Sequence, residues 1–269
     1  MASTTGRKLA LADRADRFDL YQKAVSCPAD NIEFVERVYA EMRGTMPRVL
    51  REDFCGTAHL ATEWARRGPR RRAIGVDLDP EALAWARRHN LAAAGSEIAA
   101  RVRLVHADVR DTGELRADVV CALNFSYFLL PARQQLLAYF RAVRRSLRPR
   151  GLFVFDCIGG AEAIVDYREE REYDGFSYIW EHRRFNPLDH TARCTISFAF
   201  PDGSKIAPAF TYHWRLWTLP ELRDLLAEAG FASPRVFWEC TDDDGETCWR
   251  ENAHDHSQAI WLTYLVAST

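Results

Sequence analysis

The 269-residue sequence predicts an α/β fold in which a doubly wound, parallel sheet is followed by an antiparallel meander. Three observations predict it. Up to residue 160, short apolar runs alternate with amphipathic helical segments, as in a doubly wound sheet. After residue 160, strand-like runs follow one another with only turn signals between them, which is typical of hairpins. Before the first strand, residues 14–43 have a helical period, which predicts an N-terminal helical cap.

The predicted elements follow one another along the chain. The strands of the parallel sheet are PRVLRED, RAIGVDLD, RVRLVHADV, ADVVCALNFS and GLFVFDCIGG. Helices are expected at HLATEWARRG, after Asp79, and at ARQQLLAYFRAVRRSLRP. Asp79 is a good N-cap, and Pro80 suits the first helical position. The meander is FSYIWEHRRF, TARCTISFAF and SKIAPAFTYHWRLW, and a last helix, TLPELRDLLAEAGF, precedes strands SPRVFWEC and AIWLTYLVAS.

These elements divide the chain into four predicted parts. They are a helical cap at 1–45, a Rossmann-like core at 46–160, an antiparallel lid insertion at 161–215, and a C-terminal completion of the core at 216–269. The last strand is expected to insert antiparallel to its neighbours.

Composition excludes several classes of protein. The 36 Lys and Arg against 38 Asp and Glu give a net charge of −2, so no global positive field favours nucleic acid. Apolar runs stay shorter than the ~20 residues of a membrane span. The 7 cysteines are an odd number without a CxxC pair, so we expect reduced thiols and a cytoplasmic protein. Because the histidines and cysteines form no ligand motif, no metal site is predicted.

The stretch LREDFCGTAHL places Cys55, Gly56 and Thr57 in the turn after the first strand. In open α/β sheets, ligands bind beyond the carboxyl ends of the strands, and this turn lets the backbone approach them. Asp77 ends the second strand, where an acid can accept both hydroxyls of an adenosine ribose. This acid alone does not distinguish S-adenosylmethionine from a dinucleotide.

At these residues the sequence resembles the class I S-adenosylmethionine-dependent methyltransferases, whose first motif reads acid-x-Gly-x-Gly-x-Gly. Glu52 matches the acid and Gly56 the middle glycine, whereas Phe54 and Ala58 replace the other two. The resemblance implies S-adenosylmethionine as the cofactor, with Asp108 at the adenine amine and Asn124 beside the methyl group. The cofactor-binding residues that it implies are Glu52, Cys55, Gly56, Thr57, Asp77, Leu78, Asp108, Val109 and Asn124.

Plainer interpretations of these residues stay open. Glu52 and Asp77 could be surface carboxylates, and Asp108 and Asn124 could be turn formers. Cys55 could be a nucleophile, although a small buried residue fits better because no partner base is identifiable.

Methyl transfer from a sulfonium is an in-line displacement that needs no protein nucleophile, although a base helps with some acceptors. Candidate bases and substrate contacts are Tyr21, Tyr127, Asp156, His182, Tyr212, His213 and Arg215. We rank Tyr127, Asp156 and His213 first as catalytic residues, and expect Tyr21, Tyr127, Tyr212 and Arg215 to bind substrate. The lid is rich in aromatic residues, of which one set faces the core and the other could line a pocket or a homodimer contact.

The strings LREDFCGTA, VDLDP and ALNFSYFLL also resemble a bacterial group of these enzymes without an assigned substrate. The meander is similar to the lid sheet of N-methyltransferases acting on small metabolites and sugar amines. We therefore expect N- or O-methylation of a small molecule, without nucleic acid or membrane as partner. Two alternatives stay open. One is an RNA or protein methyltransferase, which the basic run at residues 66–72 favours, and the other is a non-methylating S-adenosylmethionine-binding protein.

Overall fold

The computed structural model describes residues 9–251 and 258–269. The helices that precede the sheet are α1 (Leu11–Arg14), α2 (Arg17–Val25) and α3 (Pro28–Arg43). Helix α2 begins at Asp16, whose carboxylate accepts from the N–H groups of Phe18 and Asp19. Helix α3 ends at Gly44, which has the left-handed φ of +71° that glycine adopts readily.

Strands and helices alternate through the next hundred residues, as the sequence predicts. The elements are β1 (Val49–Asp53), α4 (His59–Arg66), β2 (Arg72–Asp77), α5 (Pro80–Ala86), a π-helical segment (Arg87–Leu91), α6 (Ala92–Ala94), α7 (Ser96–Ala99), β3 (Val102–His106), β4 (Ala117–Ala122), α8 (Arg133–Ser146) and β5 (Leu147–Gly159). Strands β1 to β5 pair in parallel in the order β5-β4-β1-β2-β3.

A separate antiparallel sheet follows, which we call the lid sheet. Its strands are β6 (Tyr167–Tyr173), β7 (Phe176–Asn186), β8 (Thr191–Ala199) and β9 (Lys205–Arg215), and they pair in chain order. The sequence predicts the last three strands but not β6. Its sequence, YREEREY, is mostly charged and exposed, which suits an edge strand but gives no apolar alternation.

The chain then returns to the large sheet with α9 (Leu219–Glu228), β10 (Arg235–Thr241), β11 (Thr247–Glu251) and β12 (Trp261–Ser268). Strand β12 lies between β5 and β10 and is antiparallel to both, which confirms the predicted insertion. Strand β11, which was not predicted, forms the edge beside β10.

The hairpin of β10 and β11 corrects the expectation that all cysteines are reduced thiols. Cys240 and Cys248 lie directly opposite each other, with 4.9 Å between their Cα atoms, and form a disulfide. The other five cysteines are free. The pairing depends on the register of the hairpin, which spacing along the sequence does not reveal.

Helices cover both faces of the large sheet, which confirms the doubly wound fold. Helices α3, α4 and α5 pack on one face, and α8 and α9 pack on the other. Because side chains alternate along a strand, β1 directs Leu50 and Glu52 toward α4, and Arg51 and Asp53 toward α8. In residues 9–251 and 258–269, no helix is both long and apolar enough to cross a bilayer.

Candidate functional site

The loop between β1 and α4 has a left-handed backbone at three alternate positions. Phe54, Gly56 and Ala58 have φ values of 57°, 50° and 52°. These are the positions that the methyltransferase motif gives to its three glycines. The conformation costs a non-glycine residue about 1–2 kcal/mol, so Phe54 and Ala58 need compensating contacts.

Packing supplies these contacts. The Phe54 ring meets the Tyr139 ring edge-on at 5.5 Å, and Ala58 is completely buried at the start of α4. At Gly56, by contrast, an added Cβ would have no atom within 4 Å. The loop therefore keeps the backbone path of a three-glycine turn, and its open side lies at the remaining glycine.

Two carboxylates hold this loop in place. Asp77 Oδ2 accepts from the Gly56 N–H at 2.6 Å, and its Oδ1 accepts from the Asp79 N–H at 2.8 Å. Glu52 Oε2 accepts from the Ala61 N–H at 2.9 Å in the first turn of α4. Burial raises the pKa of Asp77, and it raises the pKa of Glu52 to about 8. Leu78, next to Asp77, is 60% exposed.

The end of β3 places Asp108 in an ion pair with Arg110. Asp108 Oδ1 accepts from Arg110 N at 2.8 Å and from Arg110 Nε at 2.9 Å, and these bonds lower the pKa of Asp108. A carboxylate has about four acceptor positions, so capacity for a further donor remains. Val109 beside it is 4% exposed and packs into the core.

The turn after β4 is held by Asp156 at the corresponding end of β5. Asn124 and Phe125 both have left-handed φ values, 57° and 56°. Asp156 Oδ2 accepts from the Asn124 N–H at 2.6 Å, and Oδ1 accepts from the Phe125 N–H at 2.8 Å. Burial raises the pKa of Asp156 to about 7, and the two N–H donors oppose this shift.

A cavity of about 1230 Å³ lies between α2, the carboxyl edge of the large sheet and the lid sheet. Its walls include Tyr21, Asn124, Phe125, Asp156, Tyr178, Trp180, His182, Tyr212 and Trp214. The lid residues among them alternate along β7 and β9, so one face of the lid sheet forms a largely aromatic wall. The sequence predicts a lid rich in aromatic residues but not which of them face the cavity, and it does not single out Phe125.

Tyr21 brings a hydroxyl from the cap toward the sheet edge. Its ring packs edge-on against Phe210 at 5.4 Å. Burial raises its pKa first, and the negative charges of Asp156, Glu52 and Asp77 raise it further. The hydroxyl therefore stays protonated near the carboxylates of three different strands.

Three of the predicted catalytic and substrate-binding residues do not reach the cavity, which corrects that prediction, and of the predicted cofactor-binding residues Asn124 alone lines it. Tyr127 is completely buried, and its hydroxyl donates to the Asp156 carbonyl at 2.9 Å. His213 and Arg215 alternate with Tyr212 and therefore lie on the outer face of the lid sheet. His213 is exposed there. Arg215 pairs with Glu221 at 2.9 Å and lies over the Trp217 ring.

Cys55 and Thr57 belong to the loop without offering a nucleophile. Cys55 is 5% exposed, and burial raises the pKa of its thiol well above the usual value. The Thr57 carbonyl accepts from Asn90 Nδ2 at 2.8 Å. Within the described ranges, no group of three or more His, Cys, Asp or Glu residues is arranged to hold a metal ion.

Comparison with known proteins shows sequence similarity to methyltransferases. Residues 54–151, from the glycine loop to β5, match a family described as "Methyltransferase domain". The protein "Putative methyltransferase YqeM" of Bacillus subtilis (strain 168) is 25% identical over 199 residues, which are 71% of this chain and 76% of that protein.

Solved structures with the same fold extend the similarity to most of the chain. An S-adenosylmethionine-dependent methyltransferase of Clostridium acetobutylicum ATCC 824 has a TM-score of 0.71 at 15% identity and covers 93% of this chain and 96% of its own. S-adenosylmethionine-bound CalS10, an amino pentose methyltransferase of Micromonospora echinaspora, has a TM-score of 0.65 at 20% identity, with 97% and 98% covered. The sheet order, the loop at residues 54–58 and the domain match agree, and the protein is a class I S-adenosylmethionine-dependent methyltransferase.

Proposed function

We propose that this enzyme methylates a nitrogen of a small molecule that binds in the cavity under the lid sheet. The observation that carries the proposal is the position of this cavity. It joins the turn at Asn124 and Phe125, where the transferred methyl group is expected, to the aromatic face of the lid sheet.

The loop and strand ends have the groups that S-adenosylmethionine needs. The open side of Gly56 leaves room for close approach of the cofactor to the backbone, and Asp77 can accept from the ribose hydroxyls. Asp108 and Val109 would lie at the adenine, with Asn124 at the methionine end. When bound, the cofactor supplies an electrophilic methyl group on a sulfonium.

The chain's own residues then orient the acceptor and exclude water. Asn124 and Phe125 both have a left-handed backbone, and Asp156 stabilises this turn by accepting from their two N–H groups. The turn thereby gives the cavity a fixed wall beside the expected position of the methyl group. Tyr21 closes the same region from the cap side. Excluding water strengthens the electrostatic interactions within such a site and keeps the acceptor in line.

The aromatic wall of the cavity favours an amine over other acceptors. The rings of Trp180, Tyr212 and Trp214 form one cluster, with Trp180 and Trp214 centroids 5.2 Å apart. Aromatic faces attract a cation such as the ammonium product of N-methylation. CalS10, which has this fold, is described as an amino pentose methyltransferase, and an amino pentose is a sugar that carries an amine.

The basic run at residues 66–72 does not favour an RNA acceptor. It precedes β2 and therefore lies at the amino edge of the sheet, away from the cofactor loop. Arg71 in this run pairs with Glu36 at 2.6 Å and lies over the Trp64 ring at 4.2 Å. Arg71 therefore packs against the helices α3 and α4 and is not presented as a free charge for RNA.

Calorimetry and methyl transfer test the proposal separately. We expect S-adenosylhomocysteine to bind the purified protein, and a panel of primary and secondary amines to receive radiolabel from methyl-labelled S-adenosylmethionine. A matched panel of alcohols and thiols should receive much less. Label transferred to RNA, or to alcohols in preference to amines, would refute N-methylation of a small molecule.

A further inference from the structure

Two buried ring nitrogens on the cavity side of the lid sheet lack hydrogen-bond partners. They are Nε2 of His182 and Nε1 of Trp214, and neither has a partner among the residues that the structure describes. The side chains themselves are well packed, since His182 is 3% exposed and Trp214 is 8% exposed. Native proteins leave few buried polar groups unpaired, and each such group calls for an explanation.

The chemical role of each nitrogen follows from its surroundings. His182 Nδ1 lies 3.0 Å from the Val165 carbonyl oxygen. Because a carbonyl can only accept, Nδ1 carries the hydrogen, and Nε2 of the neutral ring is a free acceptor. Burial lowers the pKa of His182, which favours the neutral ring. The indole Nε1 of Trp214 is a donor only.

Strand register brings the two residues to the same wall. His182 lies opposite Tyr167 on β6 and Cys194 on β8, and Cys194 lies opposite Tyr212 on β9. Trp214 is two residues beyond Tyr212 and therefore shares its face. All of these except Cys194 line the cavity.

A neighbouring polar pair on this wall, by contrast, is hydrogen-bonded. Trp180 donates from Nε1 to the Tyr167 hydroxyl at 3.0 Å. Among the buried side-chain atoms on this wall, His182 Nε2 is an unused acceptor and Trp214 Nε1 is an unused donor within the described part of the chain.

We propose that His182 Nε2 and Trp214 Nε1 form a hydrogen-bonding subsite for the methyl-accepting molecule. His182 accepts from an N–H or O–H of this ligand, and Trp214 donates to a ligand oxygen or nitrogen. The identification of the ligand as the methyl acceptor rests on the proposed function. The subsite selects a ligand with both a donor and an acceptor over an apolar ligand of similar size.

Two substitutions of His182 separate the proposed role from a structural one. In His182→Asn the amide nitrogen replaces Nδ1 and can still donate to Val165, but the acceptor at Nε2 is lost. In His182→Gln the amide oxygen replaces the Nε2 acceptor, but the donor to Val165 is lost. Trp214→Phe removes the indole donor. Thermal unfolding of each variant shows whether it folds.

The probes are ethanolamine, which has a donor and an acceptor, and toluene as the apolar control. With ¹⁵N-histidine protein in the presence and absence of S-adenosylhomocysteine, ethanolamine should shift the Nε2 resonance of His182. Titrations should show ethanolamine binding weakened about three- to tenfold in His182→Asn and Trp214→Phe, the effect of one lost hydrogen bond. His182→Gln should bind ethanolamine nearly as well as the wild type.

The outcomes are distinct. Binding by His182→Asn at the wild-type level, with loss in His182→Gln, would overturn the subsite in favour of a structural role. Toluene binding without any effect of ethanolamine on Nε2 would also overturn it. If S-adenosylhomocysteine fails to bind but ethanolamine still shifts Nε2, the proposed function fails and the subsite stands.

Discussion

The strongest test of the cofactor site is to compare Asp77 with Asp79, two carboxylates that lie two residues apart. Asp77 accepts from the Gly56 N–H at 2.6 Å and is expected to accept from the ribose hydroxyls. A hydrogen bond to a charged group contributes about 1.5–3 kcal/mol. Because Asp77→Ala removes two such bonds, we expect it to weaken S-adenosylhomocysteine binding by about 3–6 kcal/mol, or roughly 140- to 20,000-fold.

Asp79→Ala is the matched control, because it removes the same charge from the same loop. Asp79 caps α5 by accepting from the N–H groups of Glu81 and Ala82. Its loss should cost about 1 kcal/mol of unfolding free energy. Cofactor affinity should stay near the wild-type value in isothermal titration calorimetry. Equal affinity losses in the two variants, or no loss in Asp77→Ala, would refute the assignment of Asp77.

Three further predictions concern β1 and its loop. Asp53→Asn should lower the free energy of unfolding by about 3–5 kcal/mol in chemical denaturation, since it leaves the completely buried Arg51 guanidinium without its carboxylate; an unchanged stability would show that this pair is not buried in solution. Gly56→Val should abolish S-adenosylhomocysteine binding in calorimetry and cost about 1–2 kcal/mol of stability, because a side chain at φ +50° is strained; normal binding would make the loop a simple connector. Because burial raises the pKa of Glu52 from 4.5 to about 8, the folded state favours the protonated carboxyl. The stability that this group contributes is complete below pH 4.5 and is lost as the pH rises through about 8. Glu52→Gln should remove this loss, so denaturation at pH 5 and pH 9 should differ less than in the wild type; an equal difference would show that Glu52 does not titrate in this range.

The elements that could be predicted are those with a local signal. A strand such as β4 is apolar apart from Asp118, and α9 has both its Thr218 cap and its Gly230 stop in the sequence. Strand β6 has neither an apolar run nor an alternation, and it forms because β7 offers a free edge. Such long-range pairing has no counterpart in a short window of sequence.

The faces of the lid strands explain the two wrong predictions at His213 and Arg215. Aromatic and polar residues follow one another directly in TYHWR, so either alternate set could have faced the cavity. The structure directs Tyr212 and Trp214 inward, and His213 and Arg215 outward. A shift of one residue in register would exchange them. The domain boundaries, the individual cofactor contacts and a homodimer through the lid sheet stay predictions.

The N-terminal helices are fastened to both sheets at once. Arg17 pairs with Glu81 at 2.6 Å on the large-sheet side, while Leu11 N donates to Asp202 at 2.8 Å on the lid side. The Asn90 side-chain amide donates both to Gln22 Oε1 on α2 and to the Thr57 carbonyl, so Asn90 links α2 to the cofactor loop. A displacement of α2 would therefore shift the cofactor loop and, through Tyr21, the wall of the cavity at the same time.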